Sequence, residues 1–288
     1  MAAAKFDYHA PSSVEEALNL LSGNDDAKIL AGGHSLIPMM KTGLAAPGAL
    51  VDLGKVGGLS YINQSNGGLA IGAMTTYQEL ATSDAVASNA AVLGEAAASV
   101  ADPQVRNMGT IGGSLAHADP AGDLPAVAIA LNAEIVATSS GGERIISADD
   151  FFIDLFTTAL QPDEIVTEIR IPSLGSNTGA AYAKMANKAS HYAIVGVAAV
   201  VSVGDDGNCT SARIGVTGAG ASASRAEESE SRLVGSSLDD AAIFSAAGHA
   251  TDGIELNEDI HASAEYREHL TKVFALRAIR SAVERAAG

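Results

Sequence analysis

Apolar and polar positions follow two different periods along this chain, and the changes of period mark its elements. From Ser12 to Gly23, SSVEEALNLLSG puts Val14, Ala17, Leu18 and Leu21 on one helical face, with Ser13 placed to cap and Glu16 three residues later. AKILAGG then reads as a strand running into a turn, and Gly48 to Val56, GALVDLGKV, as a second strand. Leu69 to Ala73 reads as a strand, Thr75 and Thr76 as a helix start, and Ala90 to Val100 as a second, alanine-rich helix. Leu124 onward predicts a short helix, a strand, a Gly141–Gly142 turn and another strand. Glu164 to Pro172 alternates apolar with polar residues, as a strand does, and Pro172 to Gly179 has linker composition. Beyond it lie three candidate strands with an Asp206–Gly207 hairpin turn. From Ala226 the pattern is helical, and the last helix carries the stripe Leu270, Val273, Phe274, Ile279, Val283. The pattern predicts an α+β protein of two domains, 1–176 and 177–288, the first divided near residue 56.

Two stretches break the rhythm in the same way. KILAGGHSLIPMMK, from Lys28, and RNMGTIGGSLAHADPAGDLP, from Arg106, each place paired glycines between an apolar run and a hydroxyl-bearing segment. Glycines after a strand leave backbone N–H groups pointing outward with no side chain in the way, a nest that suits a phosphate. Ser35, Thr110 and Ser114 add hydroxyls, so two such loops are expected to clasp one diphosphate. Gly57–Gly58, Gly67–Gly68 and Gly141–Gly142 lack that context and read as plain turns. Neither the G-x-G-x-x-G fingerprint opening a helix nor a P-loop is present.

Composition narrows the chemistry. The chain has 288 residues, 34 acidic against 17 basic, and a formal net charge of −17, which argues against nucleic acid and an anionic membrane surface. Its single cysteine, Cys209, rules out an internal disulfide, a cysteine-ligated iron–sulfur cluster and a four-cysteine zinc site, and reads as a small buried apolar residue. The absence of a signal core or an apolar run of membrane-spanning length suggests a cytoplasmic protein without an integral membrane segment.

AGGHSL (31–36) and TIGGSLAHADPAGDLPA (110–126) resemble the two flavin-binding signatures of the medium, FAD-binding subunit of molybdenum hydroxylases, the carbon monoxide dehydrogenase type above all. FDYHAPSSVEEALNLL, ALVDLG, IGAMTTYQEL, ADPQVRNMGTIGG, DEIVTEIRIP and the C-terminal AEYREHL follow that family's order, so the resemblance covers essentially the whole chain. It implies a two-part FAD-binding domain of the vanillyl-alcohol-oxidase (PCMH) type and a C-terminal α+β domain with a three-stranded antiparallel sheet and helices. It implies FAD here, with the molybdenum cofactor and two [2Fe-2S] clusters on partners: a large molybdopterin subunit and a small iron–sulfur subunit, as a dimer of heterotrimers. Electrons would enter from the clusters and leave to an external acceptor.

Carried over by residue, the resemblance implies that Ile29, Leu30, Ala31, Gly32, Gly33, His34, Ser35 and Leu36 line the diphosphate and ribityl chain. Gly109, Thr110, Gly112, Gly113 and Ser114 would form the second clasp, Val100 and Ala101 an apolar contact, and Asp123 a ribose contact. His117 would lie near the flavin, and Lys184 and Tyr192 would approach the isoalloxazine. The residues alone leave other readings open: Asp123 as cap of a helix beginning at Leu124, Lys184 as a surface lysine, Tyr192 as core, His34 as a polar flank. His117 and Asp119 have no third metal ligand at useful spacing, and no catalytic residue or metal site is expected. A stand-alone flavin enzyme acting on a small molecule, and a non-enzymatic nucleotide-binding module, are the rival readings.

Overall fold

The computed structural model describes residues 4–65 and 67–287. Strands β1 (Asp7–His9), β2 (Ala27–Leu30) and β3 (Ala49–Asp52) form a parallel sheet in the order β1-β3-β2. Helix α1 (Val14–Ser22) joins the first two and buries Ala17, Leu18 and Leu21. Ser13 caps it by accepting from the Glu16 N–H, and the Glu16 carboxylate reaches back to the Ser12 N–H. Helix α2 (Leu36–Thr42) follows the first glycine turn.

A second, antiparallel sheet has the order β4-β5-β10-β6-β7, from β4 (Ile62–Ser65), β5 (Gly68–Gly72), β6 (Glu134–Ser139), β7 (Gly142–Ser147) and β10 (Ile165–Ile171). A hairpin of β8 (Phe152–Asp154) and β9 (Thr157–Thr158) projects before β10. Between β5 and β6 run α3 (Tyr77–Thr82), α4 (Asp84–Asn89), α5 (Ala91–Ser99), α6 (Pro103–Arg106), α7 (Ile111–His117) and α8 (Asp123–Ala130); α9 (Ala148–Phe151) follows β7. Thr76 and Glu79 close a full capping box on α3, where the sequence places a helix start. The second glycine stretch is therefore no loop: Gly112 and Gly113 lie in α7.

The third sheet contains the three expected long strands, β11 (Thr178–Ala186), β12 (Ala193–Val203) and β13 (Cys209–Thr217). A two-residue strand β14 (Ser224–Arg225) pairs with β13, so the sheet has four strands and not three. Gly207, φ +79°, turns the β12–β13 hairpin as the sequence requires. Helices α10 (Glu227–Leu233), α11 (Asp240–Ala247) and α12 (Ala264–Ala286) cover one face, and Leu270, Phe274 and Ile279 of the expected stripe are buried there. Cys209 is buried in the same core.

Alternation along β12 ties the layers together. Ala198 and Val200 pack with α5, α8 and the five-stranded sheet, while Val195, Val197, Ala199 and Val201 pack with α12. Helix α8 lies between two sheets and is buried at every residue, which its apolar run Leu124–Ala130 suits and which takes the charged Asp123 at its first position inside as well. Backbones touch at two glycines: a Cβ on Gly215 would lie 2.0 Å from the Ala126 carbonyl oxygen of α8, and one on Gly179 1.9 Å from that of Ala282 in α12.

Candidate functional site

The first glycine loop presents a row of unpaired donors. Chain direction changes after Leu30, and Gly33 takes φ +72°, a conformation only glycine adopts freely. The carbonyls here turn inward: Gly33 O accepts from the Ile37 N–H, Ser35 O from Met39, and Gly32 O lies 2.8 Å from His34 Nδ1. The N–H groups of Gly32, Gly33, His34 and Ser35 find no acceptor among the described residues. Four successive donors with no Cβ at the first two suit a diphosphate.

The second glycine pair works differently, and the expectation of a second outward nest is corrected. Thr110 is the N-cap of α7, its hydroxyl accepting from the Gly113 N–H at 3.1 Å, and the Gly112 N–H donates to Ala73 O at 2.9 Å. These glycines serve close packing instead. A Cβ on Gly112 would lie 2.5 Å from that of Ala73, and one on Gly109 2.5 Å from the Tyr77 ring. The two glycine stretches also abut, since a Cβ on Gly32 would lie 1.9 Å from Met108 O. Ser114 hydrogen-bonds the Tyr77 hydroxyl, which burial pushes up to about 12. Of the three hydroxyls expected to serve as free donors, only that of Ser35 lies in the open loop, where it meets Tyr192.

Lys184 is not a surface lysine, and Asp123 is not a helix cap. Their side chains are 9% and 5% exposed. Lys184 Nζ donates to both Asp123 carboxylate oxygens (2.9 and 3.0 Å), Ser99 O (2.9 Å) and His191 O (2.9 Å). Tyr182 OH donates to Asp123 Oδ1 at 2.6 Å. Burial raises the Asp123 carboxyl above its ordinary range, while the Lys184 charge and the two hydrogen bonds pull the other way. The amine thus fastens the end of α5, the start of α8 and the turn before β12. His191 Nδ1 reaches Ala101 O at 2.9 Å, and the Arg106 guanidinium donates to the Val100 and Ala101 carbonyls. Ala101 and His191, at φ 39° and 61°, are strained for residues with a Cβ, and both stand beside this amine.

Tyr182, Ser99 and His191 were missed by sequence reasoning. For Tyr182 a signal existed: it lies two residues before Lys184, so both project from the same face of β11. Tyr192 is 43% exposed and is no core residue. His117 lies beside the Phe156 ring (centroids 5.0 Å apart), and burial lowers its pKa against the opposing charge of Asp119.

Residues 4–174 match the family model described as FAD binding domain in molybdopterin dehydrogenase, and residues 180–282 that described as CO dehydrogenase flavoprotein C-terminal domain. The chain belongs to the FAD-binding medium-subunit family of molybdenum hydroxylases. This medium subunit is 42% identical, over 98% of its length and 95% of the relative's, to 6-hydroxypseudooxynicotine dehydrogenase complex subunit alpha of Paenarthrobacter nicotinovorans. It is 40% identical to the carbon monoxide dehydrogenase medium chain of Hydrogenophaga pseudoflava, over 98% of its own length and 99% of the relative's. Its fold matches a solved structure of carbon monoxide dehydrogenase from the same organism, one lacking the Mo-pyranopterin moiety, with a TM-score of 0.96 at 40% identity, covering 99% of both chains. The medium subunit is thus the flavoprotein component of a molybdenum-containing, multi-subunit dehydrogenase of the carbon monoxide dehydrogenase type. Among the described residues no helix is long and apolar enough to cross a membrane.

Proposed function

We propose that this chain binds FAD noncovalently with Ile29 to Leu36 around the diphosphate, the Gly32–Ser35 N–H groups being its donors. The observation that carries this reading is that row of four unpaired N–H groups at the end of a parallel strand. Gly109 to Ser114 form the opposite wall, through close packing more than through free donors. Val100, Ala101, His117 and Tyr192 border the ring system. The Asp123–Lys184 pair sets the position of the segments on which those residues stand. Residues 1–176 and 177–288 are the two domains, the first divided near residue 56.

When bound, FAD takes electrons one at a time from clusters and releases them singly or in pairs, and the protein supplies binding, orientation and tuning. The partners are a small subunit with two [2Fe-2S] clusters and a large molybdopterin subunit, in a cytoplasmic dimer of heterotrimers. One cysteine cannot ligate a cluster, so the relay belongs to another chain.

Two measurements test the reading. Heat denaturation of the native complex should release one FAD per medium subunit; release of FMN, which lacks the diphosphate, or of no flavin would refute the site. The isolated FAD-loaded subunit should show no bleaching with the complex's physiological substrate, whereas the reconstituted complex should bleach. Bleaching of the isolated subunit would instead favour a stand-alone flavin enzyme.

A further inference from the structure

Arg106 is the one arginine or lysine between Lys55 and Arg144, and its guanidinium turns back onto the chain that precedes it. Asp102 caps α6 by accepting from the Gln104 and Val105 N–H groups, and Pro103 takes the first helical position. Arg106 stands one turn after that cap. Side chains on a helix lean toward its N-terminus, and the Arg106 Nη1 comes to rest 2.9 Å from Val100 O and 3.2 Å from Ala101 O.

Basic side chains here hold three successive carbonyls. Lys184 takes Ser99 O, Arg106 takes Val100 O, and Arg106 and His191 share Ala101 O. A carbonyl oxygen only accepts, so His191 Nδ1, 2.9 Å from Ala101 O, carries a proton. The three reach this segment from α6, from β11 and from the turn between β11 and β12.

Pinning a carbonyl settles the other side of its peptide. The unit is planar and trans, so its C=O and N–H point opposite ways. Holding Val100 O therefore fixes the Ala101 N–H, and holding Ala101 O fixes the Asp102 N–H. Neither N–H has an acceptor among the described residues. The first glycine loop shows the same pattern, carbonyls drawn away and N–H groups left over, but here side chains enforce it instead of glycines. Ala101 at φ 39° and His191 at φ 61° hold conformations that persist only where their surroundings over-determine them. His191 is followed by Tyr192, whose hydroxyl meets Ser35 of the first glycine loop.

We propose that Arg106 and His191 are positioning residues for the flavin, acting through the backbone of Val100 and Ala101. They hold that border of the ring system in one strained arrangement and so set the flavin's reduction potential. The inference rests on the placement of the ring beside Val100 and Ala101 proposed above and deepens it. Reduced flavin is the more electron-rich form. A fixed N–H beside it, with the Arg106 charge behind, favours that form and raises the potential.

The test uses the native complex. The flavin midpoint potential is read by redox titration of the visible absorbance, and flavin content by heat release. His191→Asn puts an amide donor where Nδ1 stands and tolerates positive φ; His191→Gly tolerates the same φ and has no donor. The Asn variant should keep the wild-type potential. The Gly variant should lower it by about 30 mV, a tenfold loss of preference for reduced flavin. Arg106→Met keeps an apolar stem but loses both bonds and the charge, and should lower it at least as far. A role in folding alone would shift the urea midpoint and leave the potential of flavin-loaded complex where it was. Equal potentials in the Asn and Gly variants overturn the proposal. If the Gly variant loses its flavin outright, content decides: retention in Asn supports the proposal, and equal loss in both overturns it. Val100→Trp tests the placement separately, since an indole beside the ring should alter the flavin's visible absorbance and circular dichroism. Unaltered bands would overturn the ring placement and the proposal with it, whereas altered bands with unchanged potentials in the other variants would overturn the proposal alone.

Discussion

Gly32→Ala should empty the native complex of most of its FAD. The added Cβ would lie 1.9 Å from Met108 O and 2.9 Å from Gly109 Cα, so the two glycine stretches must separate. Overpacking against backbone has no flexible side chain to absorb it and costs ~1–3 kcal/mol or more. If that cost falls on the binding-competent arrangement, affinity drops about ten- to hundredfold. The flavin-to-protein ratio after gel filtration measures it. Gly57→Ala is the control, because nothing lies within 4 Å of its Cβ and its φ is ordinary. Gly142 is a poorer control than its sequence context suggests, since at φ +122° any side chain is strained. Wild-type flavin content in Gly32→Ala would show that the two stretches need not touch.

Lys184→Met should destabilise the chain by about 3–5 kcal/mol, because it leaves the Asp123 carboxylate buried without its cation. The deficit should grow with pH. Burial already raises the Asp123 carboxyl, and removing Lys184 takes away the principal opposing charge. A group whose folded pKa lies above its unfolded value favours the fold below the unfolded pKa and loses that contribution as pH rises toward the folded one. Urea denaturation at acidic and at neutral pH should therefore show a smaller gap from wild type in acid. Adding Asp123→Asn should recover part of the loss, since it removes the stranded charge. A deficit that is constant with pH, or unaltered by the second substitution, would mean that Lys184 acts through packing alone.

What was legible in the sequence was local. Ser13 and Thr76 mark helix starts, and Gly142 and Gly207 mark hairpins by their need for positive φ. β10 showed through its alternation. The first glycine loop was read correctly as backbone with outward N–H groups, whereas the second was misread, because Gly-Gly suggests a turn and hides a helix capped by Thr110. Its glycines answer to Ala73 and Tyr77, contacts between segments distant in the chain. Lys184 was ambiguous for the same reason: its partners are Ser99, Asp123 and His191, and only the first two strands of the third sheet bring them together. The three-residue strand β1 and two-residue strand β14 are too short for periodicity to reveal.

The glycine seam at β13 and α8 makes the covalent join between the two halves mechanically redundant. Residues 172–177 lie outside any strand or helix and are mostly exposed, while the Gly215–Ala126 contact, the Arg213 bonds to Ile129 O (3.1 and 3.0 Å) and the Lys184–Asp123 pair hold across the join. A protease cut at that bridge should yield two fragments that still migrate as one particle. Two pieces translated separately from a gene divided there should likewise assemble, and fragments that fail to co-purify would show that the contacts across the seam need the covalent join.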